Sequence, residues 1–112
     1  MSARVRAVIA EKLRRHPSIL SVWGFGSFFR GERHHDIDVL VVVAVPQDRL
    51  LYTAREVRAA LTEIEHTIGL PIDGLILTES EFESRPLRNM GELVRIVSAN
   101  GRTPTDGSFQ YR

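Results

Sequence analysis

The sequence predicts a small α/β domain of the α+β kind, with helices packed on a mixed sheet. Three observations carry that prediction. From Asp36 to Val45, Ile37, Val39, Val41, Val43 and Val45 alternate with Asp36, Asp38, Leu40, Val42 and Ala44. Both faces of this strand are mostly apolar, as in a strand central to its sheet. Leu50, Ala54, Val57, Leu61, Ile64 and Ile68 then recur at spacings of 4, 3, 4, 3 and 4, which puts them on one stripe of a helix. Around these two segments, short apolar stretches broken by Gly and Pro alternate between helical and extended periods.

In chain order, Val5, Val8, Ile9 and Leu13 share one face of a first helix that Ser2 can cap and Pro17 ends. The stretch "SILSVWGFG" supplies a strand through Ile19, Leu20, Val22, Trp23 and Phe25, stopped by Gly24 and Gly26. Residues 27–31 read as a turn or short helix. The central strand closes at Pro46, and the long helix covers residues 47–67, with Asp48 near its positive end. Gly69 and Pro71 stop that helix. Residues 71–78 form the next strand, with Asp73, Leu75 and Leu77 on one face, and residues 79–84 a short helix capped by Thr78. Residues 92–99 are expected to be a closing helix with Leu93, Ile96 and Val97 inward.

Length and composition bound the function. The 112 residues fit one domain, taken as residues 1–112 with a flexible, turn-rich tail over 100–112. A formal net charge of +1 creates no global field for nucleic acid or an anionic membrane, so neither is an expected partner. The basic residues are arginines apart from Lys12, and Arg4, Arg6, Arg14 and Arg15 on the first helix read as a solvated face. With no cysteine, thiolate catalysis, thiolate metal sites and disulfides are excluded. The longest apolar run falls far short of the roughly 20 residues that span a bilayer, and the N-terminus has no signal-like core. A cytoplasmic protein is the expectation.

The chemistry concentrates where carboxylates enter apolar strands. Buried carboxylates are costly unless a cation neutralises them. Asp36 and Asp38 lie two residues apart, with Cα atoms about 6.5–7 Å from each other on one strand face. A third acid, Asp73, starts another strand. Side chains so placed can converge on one divalent cation, or on two about 3.5–4 Å apart, and oxygen-only donors suit Mg²⁺ or Mn²⁺. The Gly26–Ser27 turn offers backbone N–H groups and a hydroxyl to an anion. Arg30 adds a bidentate donor for phosphate. The bland alternative is a strand-entering acidic pair bonded to arginines or loop amides, with Asp73 a turn residue. His34 and His35 lack metal-site spacing and read as loop residues. Trp23 reads as core; Phe28 and Phe29 flank the Gly-Ser turn, where one of them can stack a base.

An apolar strand, Gly-Ser, Asp-x-Asp and a further Asp-bearing strand resemble the minimal nucleotidyltransferases of the DNA polymerase β superfamily. "GFGSFFRGERHHDIDVLVV" matches that family's core; "IDGLILTESEF" resembles its third-carboxylate strand, and "ELVRIVSANGRTP" its closing segment. The loop between Ser27 and Asp36 is shorter than is common there, and His35 stands where a serine is usual. The resemblance implies a nucleotidyltransferase-like fold and transfer of a nucleoside monophosphate, AMP from ATP, to an acceptor hydroxyl. It implies Asp36, Asp38 and Asp73 as catalytic metal ligands for Mg²⁺ or Mn²⁺, and Gly26 and Ser27 as nucleotide contacts, to which the residues themselves add Arg30. It implies as acceptor a separate HEPN-domain toxin, with the chain as its antitoxin; homodimerisation is a further expectation. A catalytically silent antitoxin of the same fold and a transferase acting on a small molecule are the alternatives.

Overall fold

A computed structural model describes residues 3–26, 36–84 and 93–97. Helix α1 spans Ala3–Leu13, strand β1 Ile19–Phe25 and strand β2 Ile37–Val43. A single 3-10 turn, Gln47–Arg49, leads into helix α2, Leu50–Ile68. Strand β3, Ile72–Thr78, helix α3, Glu79–Ser84, and strand β4, Val94–Val97, complete the described chain.

The sheet order is β3-β2-β1-β4. β2 pairs parallel with β3 and antiparallel with β1, while β4 pairs antiparallel with β1. The sheet is therefore mixed, and β2 is interior to it. The alternation in β2 sorts as the sequence predicts. Ile37, Val39, Val41 and Val43 join Val5, Ile9 and Leu13 of α1 and Val57, Leu61 and Ile64 of α2 in one core. Leu40 and Val42 join Trp23, Leu77 and Phe82 in a second core on the opposite face. Burying an aliphatic side chain of this size contributes roughly 1.5–3 kcal/mol, and a one-residue slip of β2 would turn Asp38 into the core under α1 and α2.

Local chemistry fixes the element ends. Gly69 takes a left-handed φ of 77° and donates its N–H to the Glu65 carbonyl at 2.8 Å, a geometry that a Cβ would penalise. Thr78 and Glu81 bond reciprocally: the Glu81 N–H donates to Thr78 Oγ1 at 3.2 Å and the Thr78 N–H to Glu81 Oε1 at 2.9 Å. This capping box starts α3, whose Phe82 ring lies against Trp23 with centroids 5.7 Å apart.

Two expectations are corrected. The closing segment is a strand, and the expected helix over 92–99 is not formed in its described part, 93–97. Val94, Ile96 and Val97 are β-branched, the run is short, and β1 needs a partner on its second side. On α2, Thr53 takes the buried place expected of Ala54, which is only half-buried; at 3.6 residues per turn Thr53 lies slightly nearer than Ala54 to the middle of the stripe that Val57, Leu61 and Ile64 define. Ser2, residues 27–31, Phe28, Phe29, His34, His35 and the tail 100–112 lie outside the described residues. Among the described residues, no helix is long and apolar enough to cross a membrane.

Candidate functional site

The three acidic residues are brought together by strand register. Asp38 of β2 stands opposite Asp73 of β3 in the parallel ladder, where neighbouring strands lie about 4.8 Å apart and paired side chains share a face. Asp36 precedes β2 by one residue and returns to that face. Carboxylate oxygens of Asp36, Asp38 and Asp73 all lie within 4.8 Å of one another. Asp36 and Asp73 are exposed and Asp38 is half-buried, so the cluster opens to solvent at the rim of the sheet. Behind it on the same face lie Leu40, Val42, Leu77, Trp23 and Phe82, an apolar backing that strengthens any charge interaction at the rim.

The third side of the site comes from β1. Phe25 pairs with Asp38, and the next residue, Gly26, turns out of the strand with φ 81°. A Cβ built on Gly26 would collide with the Asp38 carboxylate and lie 3.2 Å from its Cγ. Glycine is therefore required twice, by conformation and by space. Ser27 and Arg30, expected beside Gly26 as nucleotide contacts, lie outside the described residues.

Among the described residues, arginine pairing does not account for Asp36 or Asp73. Among the described residues the ion pairs join Lys12 to Glu63, Arg14 and Arg15 to Glu11, and His16 to Glu56; none reaches Asp36 or Asp73. Three carboxylates so close repel by about 1 kcal/mol per pair even at full water screening. The donor set is hard oxygen only, which suits a Mg²⁺ or Mn²⁺ ion that keeps waters and takes further oxygens from a phosphate. The residues present thus fit a divalent metal site.

Trp23 is core, as the sequence suggests. Its ring is buried, with the Phe82 ring stacked at 5.7 Å and the Arg95 guanidinium 4.9 Å from its centroid, and its indole N–H donates to Ser21 Oγ at 2.9 Å. Sequence reasoning missed Arg95, because the helix expected over 92–99 gave no reason to place it on the face of the carboxylates.

Comparison with known proteins adds the family. A nucleotidyltransferase domain family matches residues 6–98. The complex of a tri-AMPylated Shewanella oneidensis HEPN toxin with MNT antitoxin is similar at 15% identity and TM-score 0.56, covering 88% of this chain and 74% of that one. A toxin–antitoxin structure with AMP-PNP gives 16% identity and TM-score 0.56, covering 84% and 73%. A protein described as a nucleotidyltransferase from Sulfolobus solfataricus gives 19% identity and TM-score 0.50, covering 85% and 78%. At these identities the likeness is one of fold. No curated protein matches the sequence significantly.

Proposed function

The chain belongs to the nucleotidyltransferase domain family, and from that premise we propose that it moves AMP from ATP onto an acceptor hydroxyl of a HEPN-type partner protein. The observation that carries this reading is the convergence of the Asp36, Asp38 and Asp73 oxygens within 4.8 Å, beside a turn at Gly26 that only glycine can make. The partner is supported by the fold neighbour that is an MNT antitoxin bound to an AMPylated HEPN toxin.

In this mechanism Asp36, Asp38 and Asp73 hold the divalent cation, Mg²⁺ or Mn²⁺. Bound there, it would neutralise charge on the phosphates and lower the pKa of the acceptor hydroxyl. Gly26 lets the backbone approach the nucleotide, and Ser27 and Arg30 donate to phosphate oxygens. Asp73, exposed at the rim, accepts the hydroxyl proton as the acceptor oxygen bonds to the α-phosphorus. The bond from α-phosphorus to the β-phosphate oxygen breaks, and pyrophosphate leaves with its electron pair.

The test is incubation of the protein with Mg²⁺ and α-labelled ATP in lysate of its source, beside Asp38→Asn. Label on a discrete protein band that disappears with the variant is the expected result. Label on a small molecule would move the acceptor to that class. No transfer with any of the four nucleotides would leave a binding antitoxin that does no chemistry.

A further inference from the structure

The connection between α2 and β3 is held by one side chain. Glu65, on the last turns of α2, accepts the Gly69 N–H on its backbone carbonyl at 2.8 Å. Its carboxylate Oε2 accepts the Ile72 N–H at 2.5 Å. Both ends of the short turn over residues 69–71 are therefore tied to the same residue. The carbonyl of Pro71, inside that turn, accepts the Ile37 N–H at 2.9 Å. Ile37 separates Asp36 from Asp38, and Ile72 immediately precedes Asp73.

Glu65 cannot itself join the carboxylate cluster. It rides on α2, whose buried residues pack on the face of the sheet opposite Asp38, and the acids within mutual reach are Asp36, Asp38 and Asp73. Among the described residues β3 is an edge strand, paired on one side only, and there its outward Ile72 N–H has Glu65 as its partner. An edge strand slips or frays more readily than an interior one, and movement here would carry Asp73 away from Asp38.

We propose that Glu65 is a positioning residue for the acidic cluster, its carboxylate clamping the start of β3 so that Asp73 stays in register with Asp38. This rests on the metal-site reading above. It assigns to an acid on the far face of the sheet a share of the metal affinity, as residues behind a ligand commonly have.

The test is titration with Mn²⁺, followed by its paramagnetic resonance signal, of the wild type, Glu65→Ala, Glu65→Gln and Asp38→Asn, together with amide exchange at Ile37 and Ile72. Glu65→Ala is expected to weaken Mn²⁺ binding about tenfold and speed exchange at both amides. Glu65→Gln, which keeps an acceptor oxygen, stays near wild type in both. Wild-type affinity in Glu65→Ala, or an equal loss in Glu65→Gln, overturns the proposal. If wild type and Asp38→Asn bind Mn²⁺ alike, the metal-site reading fails by itself. The clamp is then judged on exchange alone: faster in the alanine variant only supports it, unchanged overturns it. Should Glu65→Ala not fold, Glu65→Asp, one methylene too short to reach, takes its place.

Discussion

A methyl group at Gly26 would enter the space of the Asp38 carboxylate, on a backbone whose φ of 81° already disfavours any side chain. The left-handed conformation alone costs an L-residue roughly 1–2 kcal/mol. Gly26→Ala is therefore expected to lose about that much stability in urea denaturation, and nucleotidyl transfer should fall about tenfold or more as Asp38 is displaced. Unchanged transfer in a destabilised variant would mean that Asp38 moves without consequence. The carboxylates themselves predict a second result. On the proposed reading, three like charges within 4.8 Å would be relieved by a divalent cation that binds only the folded chain. Mg²⁺ or Mn²⁺ at about a hundred times its Kd should stabilise the wild type by about 2.7 kcal/mol. Chelator should remove that gain, and Asp73→Asn should never show it; thermal melts with and without metal would decide. The acids were legible in the sequence because a carboxylate in an aliphatic strand violates the pattern around it. Glu65 was not, since an acid near a helix end violates nothing.

At the scale of elements, β3 is shaped by its neighbours. A Cβ on Gly74 would sit 2.5 Å from Leu61 Cδ1 of α2, so the Leu61 side chain fills the space that a side chain at position 74 would need. Gly74→Ala should cost about 1–3 kcal/mol through overpacking, and adding Leu61→Val should restore part of it. Side chains also occupy the outer edge of β3: Glu65 takes the Ile72 N–H, Arg58 reaches the Gly74 carbonyl at 3.4 Å, and Glu81 takes the Thr78 N–H. Charged groups on an edge strand oppose pairing with another chain. One of these contacts belongs to the capping box of α3, and Thr78→Ala should lower stability by about 1 kcal/mol, read from a urea midpoint. That cap was visible in the sequence as Thr78 before a polar, acidic run. The identity of β4 was not visible, because Leu93, Val94, Ile96 and Val97 fit a short helix face and a short strand about equally well. Pairing with β1 settles it: Val22 meets Val97 and Trp23 meets Arg95.

Across the whole molecule, exposed ion pairs link the helices to little effect. Glu63 is held below the ordinary carboxylate range chiefly by the hydrogen bond from Lys12, and Glu11 chiefly by that from Arg15. Both acids ionise at lower pH in the folded chain than in the unfolded one. Their stabilisation is therefore complete above the ordinary carboxylate range and lost as pH falls through the folded values. Because these side chains are exposed, salt should screen them: the loss between neutral and acid pH in urea midpoints should shrink at about 1 M salt, where the screening length is about 3 Å. Stability rests instead on two apolar layers, with α1 and α2 on one face of the sheet and α3 on the other. The sequence by itself determined the elements whose patterns run long enough to admit one period, β2 and α2 above all. It also determined the three acids and the glycine that stand out against those patterns. Only the tertiary structure decided that the last segment is a strand, that Asp73 faces Asp38 across a parallel pair, and that Glu65 ties the turn between them. Those outcomes depend on which segments become neighbours, and local periodicity carries no information about a partner distant in the chain.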